Sequence, residues 1–88
     1  MIMIYVYVLQ STQHQFRYVG MTNDLETRLQ QHNRGSTSST KFYRPFVVVH
    51  TEAFPDRQAA RKREKYLKSA AGRRWLSSML DNPKQRKT

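Results

Sequence analysis

Residues 3–20 read MIYVYVLQSTQHQFRYVG, and this stretch decides the fold. At its start, aromatic and β-branched residues alternate, which predicts a strand over residues 3–9. The side chains divide between two faces, with Tyr5, Tyr7 and Leu9 on one and Ile4, Val6 and Val8 on the other. Because both faces are apolar, we expect other elements to cover the strand on both sides. Residues 16–19 predict a second strand, ended by Gly20, that forms an antiparallel hairpin with the first.

A helix and a third strand are predicted after the hairpin. Asn23 and Glu26 resemble a capping box at the start of the helix, and Gly35 supplies its stop. The valine-rich residues 46–50 predict a buried strand.

The rest of the chain predicts two helical segments. Asp56 can cap a helix over about residues 57–69, which residues 70–72 interrupt before a last helix over residues 73–80. The resulting order β-β-α-β-α-α predicts an α+β (mixed α/β) fold.

The composition favours a small, basic, single-domain protein. The chain has 88 residues, no cysteine and a formal net charge of +10. We expect one domain over residues 1–80 and a basic, flexible tail over residues 81–88. The absence of cysteine excludes disulfides, thiolate metal sites and cysteine nucleophiles. The positive charge, most of it in the second half of the chain, favours a polyanionic partner such as nucleic acid.

Membrane association is not favoured. The apolar N-terminal stretch is too short to span a bilayer and lacks the basic start and cleavage site of a signal peptide. The basic helix over residues 57–69 lacks the wide apolar face needed for interfacial insertion. We therefore expect a cytoplasmic protein without a membrane partner.

Two basic segments are candidate nucleic-acid contacts. The first is the polar loop over residues 34–45, where Lys41, Tyr43 and Arg44 combine aromatic and basic side chains that suit stacking and phosphate contact. An ordinary surface loop is the alternative. The second is a solvated basic face on the helix over residues 57–69, which would attract the phosphate backbone and is formed by Arg61, Lys62, Lys65 and Lys68.

Glu64 is an acid in an unexpected place. Helical spacing puts it on the apolar face of its helix, together with Ala60, Leu67 and Ala71. A carboxylate there is costly unless it is paired or binds a metal. A salt bridge to Arg28 or Arg61 is the structural alternative to a metal.

The first helix carries two further candidates. Arg28 can hold a phosphate oxygen, or it can pair with Glu26 or Glu64. His32 lies on the inner face of the helix and is either a packed core residue or part of a site.

Taken in order, these residues identify a family. Tyr5-Val6-Tyr7 and, after ten intervening residues, Tyr18-Val19-Gly20 resemble the paired motifs of the GIY-YIG nuclease superfamily. The first motif is similar to the form found in small stand-alone bacterial members, which are related to the nuclease domain of the excision-repair endonuclease subunit. The resemblance covers about residues 3–78, and the ordered set that carries it is Tyr7, Tyr18, Gly20, Arg28, His32 and Glu64.

The resemblance implies a three-stranded antiparallel sheet flanked by about three helices. It also implies an endonuclease that hydrolyses nucleic-acid phosphodiester bonds with one Mg²⁺ or Mn²⁺ ion and no small-molecule cofactor. DNA is the expected substrate, DNA repair or recombination is a fitting pathway, and low sequence specificity is expected because no second DNA-binding domain is attached. A homodimer or a protein partner stays open. The alternative is a non-catalytic, basic nucleic-acid-binding module on the same fold.

The resemblance also implies a role for each residue of the set. Glu64 would be the single protein ligand of the metal, and Arg28 would hold the scissile phosphate. Tyr7 would orient or activate the attacking water, assisted by Tyr18 and His32. Gly20 would permit close approach of the backbone at a turn.

Overall fold

The computed structural model describes residues 2–81 and has the predicted element order. Three antiparallel strands, β1 (Ile4–Ser11), β2 (Arg17–Thr22) and β3 (Phe46–Phe54), form a sheet in the order β2-β1-β3. Three α-helices accompany them: α1 (Leu25–Arg34), α2 (Arg57–Lys68) and α3 (Ala70–Asp81). A 3-10 turn (Lys41–Tyr43) lies in the loop before β3. The α+β prediction and the three-stranded sheet are confirmed.

The sheet is covered on both faces, as the sequence of β1 predicts. On one face, Ile4, Val6 and Val8 pack against side chains of α2 and α3. On the other, Tyr7 and Leu9 form a second cluster with Phe46, against which the α1 leucines pack. The central strand therefore supplies apolar area to two separate cores, each stabilised by removing that area from water.

Several predicted boundaries before α2 are wrong. β2 does not end at Gly20 but continues to Thr22, because Gly20 is paired with Tyr7 in the ladder. Asp24, not Asn23, caps α1, and its side chain accepts a hydrogen bond from the Thr27 amide. β3 extends beyond residue 50 to Phe54, and most of it is only partly buried because it is an edge strand.

The break between the last two helices also differs from the prediction. It falls at Ser69, whose backbone is extended, and residues 70–72 begin α3 instead of interrupting α2. Ala71 is therefore exposed on α3 and does not continue the buried face of α2. Gly72 is buried where α3 crosses the end of α2, and a Cβ atom there would lie 2.0 Å from the Tyr66 carbonyl oxygen. This glycine permits close helix packing rather than a helix break.

The remaining predictions about chain organisation concern the ends and the membrane. Asp81 is the last residue of α3, and the rest of the predicted tail, residues 82–88, lies outside the described residues. Within residues 2–81, no helix has the length and apolarity to cross a membrane.

A polar cluster ties β3 to the helices. The Glu52 carboxylate accepts hydrogen bonds from Arg63 Nε at 2.8 Å and Nη2 at 3.1 Å, and its Oε2 lies 2.7 Å from His50 Nε2. The Arg63 guanidinium lies over the Trp75 ring, 4.9 Å from its centroid. Burial alone raises the pKa of Glu52, but the hydrogen bonds and positive charge of Arg63 and His50 outweigh it and lower that pKa below its usual 4.5.

We expect Glu52 to make the protein sensitive to acid. A carboxylate with a lowered pKa in the folded state stabilises the fold above pH 4.5 and loses that contribution as the pH falls through the lowered value. Glu52→Gln should therefore lower the unfolding free energy by roughly 1 kcal/mol at pH 7 and by less at pH 3. Urea unfolding at both pH values measures the difference. An equal loss at pH 7 and pH 3 would contradict this role.

Candidate active site

Tyr7 and Tyr18 meet over Gly20 on the α1 side of the sheet. Tyr7 lies opposite Gly20 in the ladder, and its ring centroid is 6.2 Å from that of Tyr18. A Cβ atom on Gly20 would lie 2.6 Å from the Tyr7 hydroxyl oxygen and 2.9 Å from Tyr18 Cε2. The predicted turn at Gly20 is thus absent, because this residue is extended within β2. It provides the space in which the two tyrosines converge.

Gly20→Ala is expected to disturb both tyrosines at once. Their rings are held by neighbouring side chains, so the added methyl group forces strain of about 1–3 kcal/mol, as overpacking does elsewhere. Urea unfolding measures this loss. The Tyr7→Phe background removes the nearest clashing atom, so Gly20→Ala should cost less there. Equal costs in both backgrounds would show that the tyrosine contact is not the cause.

His32 is fully buried at the end of α1 and lies beside both tyrosines. Its Nε2 is 3.1 Å from the Tyr7 hydroxyl oxygen, and its Nδ1 is 2.8 Å from Thr40 Oγ1. The next residue, Asn33, fixes the helix against β3 by exchanging hydrogen bonds with the backbone of Phe46. The structure therefore places His32 both in the core and in the polar group around Tyr7.

Arg28 completes this group from one turn earlier on α1. Its guanidinium donates to Gln31 Oε1 at 2.8 Å, and interaction with Tyr7 raises the pKa of Arg28. Burial raises the pKa of Tyr7 to about 12, against the opposing effect of Arg28. Burial and the Arg28 charge lower the pKa of His32 from 6.5. At neutral pH, the site thus contains a neutral phenol, a neutral imidazole and a fixed cation.

Glu64 is buried on α2, and its side chain is only 8% exposed. Its two oxygens accept from Arg61 Nη1 at 3.2 Å and Lys68 Nζ at 3.0 Å, and both of these side chains reach solvent. The negative charge of Glu64 also raises the pKa of Tyr7, but less than burial does. Of the two predicted ion-pair partners, Arg61 is the one observed.

The surroundings of Glu64 fit a single hard divalent cation. Among residues 2–81, no three acidic, histidine or cysteine side chains cluster as a metal site, so an ion held by Glu64 would need further ligands from water or substrate. Mg²⁺ accepts such a set because it keeps several waters and uses substrate phosphates as further ligands. The two cations that contact Glu64 are on exposed, flexible side chains, which a divalent ion can replace.

The predicted nucleic-acid contacts divide into exposed and packed residues. Lys41, Arg44 and the four α2 cations (Arg61, Lys62, Lys65 and Lys68) are exposed. Tyr43 instead stacks on Phe16, with ring centroids 4.0 Å apart. Its neighbour Phe42 is 76% exposed, and the sequence analysis missed it. Which of two adjacent aromatic residues faces solvent depends on the 3-10 turn, which the sequence does not reveal.

An open groove lies beside β2. It is about 1100 Å³ in volume, and its lining includes Tyr18, Arg17, Lys68 and Arg73. Three basic side chains therefore line the groove together with Tyr18.

Comparison with known proteins identifies the family. Residues 3–76 match the GIY-YIG catalytic domain. The chain is 34% identical over 83 residues to a UPF0213 protein of Syntrophus aciditrophicus, covering 92% of this chain and 94% of the relative. It is 38% identical over 66 residues to a UPF0213 protein of Haloquadratum walsbyi, covering 74% of this chain and 73% of that protein. The solution NMR structure of a UPF0213 protein from Bacillus halodurans matches with a TM-score of 0.55 and 30% identity, over 94% of this chain and 90% of the other. The chain therefore belongs to the GIY-YIG family.

Proposed function

We propose that this protein is a divalent-metal-dependent endonuclease that hydrolyses phosphodiester bonds in nucleic acid, with DNA as the expected substrate. The observation that carries the proposal is the hydrogen bond between Tyr7 and His32, with Arg28 on α1 and the buried Glu64 both close enough to influence Tyr7 electrostatically. The net charge of +10 supports a polyanionic substrate. We further propose a cytoplasmic location and low intrinsic sequence specificity, because the exposed cations offer phosphate contacts without an evident reader of base edges.

Arg28 would bind the scissile phosphate. A guanidinium presents paired donors that match two phosphate oxygens, and it keeps its charge at every relevant pH. In the free protein, the Arg28 guanidinium donates a hydrogen bond to Gln31 and interacts electrostatically with Tyr7. We propose that the phosphate draws it away from Tyr7, which gives the almost fully buried Tyr7 hydroxyl access to a water.

Tyr7 and His32 would then accept the proton of the attacking water together. With a pKa of about 12, Tyr7 is a neutral phenol at pH 7, so a free phenolate is not the base. Instead, the water proton passes to the Tyr7 oxygen while the Tyr7 hydroxyl proton passes to His32 Nε2. The water becomes the nucleophile, Tyr7 stays neutral, and His32 becomes an imidazolium.

Glu64 is the residue that would hold the metal, with waters and phosphate oxygens as the other ligands. When bound, a divalent ion polarises the phosphoryl oxygen and stabilises charge on the leaving oxygen. Arg61 and Lys68 balance the Glu64 charge in its absence. Released from Glu64, both side chains are free to contact the phosphate backbone.

A nicking assay tests the proposal. The purified protein is incubated with supercoiled plasmid and with labelled single-stranded, branched and RNA substrates, in Mg²⁺, Mn²⁺ or EDTA. We expect cleavage with either metal and none with EDTA. Cleavage in EDTA would overturn the metal dependence. Binding that weakens with salt but brings no cleavage of any substrate would favour the non-catalytic module instead.

A further inference from the structure

Thr40 is a buried hydroxyl residue that neither the family motifs nor the sequence analysis singles out. It is 0% exposed and lies at the start of the 3-10 turn, in the N-cap position. Threonine in that position usually accepts a hydrogen bond from a backbone amide of the helix. Here the side chain makes no capping bond, and its Oγ1 lies 2.8 Å from His32 Nδ1.

The contacts of Thr40 fix the direction of the hydrogen bonds through His32. The Thr40 hydroxyl donates to the Thr37 carbonyl oxygen at 3.4 Å, because a carbonyl can only accept. With its proton used there, Thr40 Oγ1 accepts from His32 Nδ1 at 2.8 Å. A neutral imidazole that carries its proton on Nδ1 has an unprotonated Nε2, which accepts from the Tyr7 hydroxyl at 3.1 Å.

The backbone holds Thr40 at the imidazole. The αL conformation of Gly35, with φ of 84°, ends α1 and turns the chain back. The Thr37 carbonyl then accepts hydrogen bonds from the amides of Thr40 at 3.1 Å and Lys41 at 2.9 Å. These bonds close a turn over the end of α1, so the Thr40 hydroxyl is placed by backbone structure.

We propose that Thr40 is a positioning residue that holds His32 in the tautomer protonated on Nδ1, so that Nε2 stays free to receive the Tyr7 proton. The tautomer follows from the contacts alone, and its catalytic consequence rests on the proposed nuclease function. Substituting a residue that orients a functional histidine typically costs 10- to 100-fold in activity, a rule established for metal-ligating histidines. Thr40 also directly precedes Lys41, so it connects the polar loop over residues 34–45 to the site.

The tautomer can be measured directly. Long-range ¹H–¹⁵N NMR of the full-length protein at neutral pH distinguishes a protonated ring nitrogen from an unprotonated one. We expect His32 to be protonated on Nδ1 in the wild type and in Thr40→Ser, and to shift towards Nε2 protonation in the isosteric Thr40→Val. A wild-type ring protonated on Nε2 would overturn the proposal, as would a Thr40→Val ring unchanged from the wild type. The wild-type spectrum decides the first point even where a variant fails to fold.

Cleavage kinetics test the consequence. Thr40→Val should lower kcat by about 10- to 100-fold with little change in KM, and Thr40→Ser should restore most of the rate. Ser78→Ala, which removes an exposed hydroxyl on α3, is the control and should match the wild type. Thr40→Ser as slow as Thr40→Val would overturn the positioning role. A wild type that cleaves no substrate would refute the proposed function, while the NMR result would still decide the tautomer.

Discussion

Replacing Glu64 with glutamine is expected to reduce metal-dependent cleavage by about 1000-fold or more. A carboxylate that holds the only metal accounts for several kcal/mol of transition-state stabilisation, and each 1.4 kcal/mol corresponds to a factor of ten. Glutamine keeps the shape of the side chain and removes its charge, so its affinity for a hard divalent cation is much lower. Initial cleavage rates, measured over a range of Mg²⁺ and Mn²⁺ concentrations, give the size of the loss.

Stability and binding separate this effect from misfolding. The partners of Glu64, Arg61 and Lys68, reach solvent, so Glu64→Gln leaves no buried charge behind. The unfolding free energy should therefore change by less than about 1 kcal/mol. Nucleic-acid binding in EDTA should be retained or strengthened. Glu26→Gln, which removes an exposed acid from α1, is the matched control for the charge change. A Glu64→Gln variant that cleaves at the wild-type rate would refute the assigned role.

Tyr7→Phe is expected to lower the cleavage rate by about 100- to 10,000-fold, the usual contribution of a positioned acid–base group. The substitution keeps the ring that packs over Gly20 and removes the hydroxyl that connects the water to His32. It also leaves His32 Nε2 without its partner, which should cost about 1–3 kcal/mol of stability. Rates are compared well below the unfolding temperature. Tyr5→Phe, two residues away on the same strand, is the matched control and should retain full activity.

The pH dependence of cleavage is a second test of the proton transfer from Tyr7 to His32. His32 accepts a proton only when neutral, and burial together with the Arg28 charge lowers its pKa below 6.5. Cleavage should therefore be present at neutral pH and should decline only as the pH falls below 6.5, through the lowered value. An acid limb centred above pH 6.5 would contradict a neutral His32. A Tyr7→Phe variant with full activity would show that the Tyr7 hydroxyl takes no part in the reaction.

The hairpin, the apolar faces and the buried acid could be predicted because each follows from a regular spacing of residues that are close in the sequence. Alternation along β1 separates Tyr7 from Val6, and the helical spacing of α2 puts Glu64 with Leu67. These patterns survive folding, since the side-chain directions of strands and helices repeat regularly.

Other features depend on contacts between distant segments and carry no such pattern. The sequence predicts that Gly20 ends a strand, and only the structure shows that the Tyr7 ring packs over it. The Glu52 cluster joins β3, α2 and α3, and the sequence does not place these elements together. The contact of Thr40 with His32 requires the turn at residues 37–41. The backbone hydrogen bonds of that turn cannot be predicted from a loop sequence rich in serine and threonine.

The alternation of β1 between two cores also limits how this protein can evolve. Val6 and Val8 pack against α2 and α3 on one side of the strand, while Tyr7 lies in the candidate site on the other. An insertion or deletion of one residue in β1 would exchange the two sides, putting a phenol into the apolar core and an aliphatic side chain into the site. Such a change would destroy folding and chemistry in the same event. Natural variants of this strand should therefore differ by substitution, and changes in chain length should accumulate elsewhere.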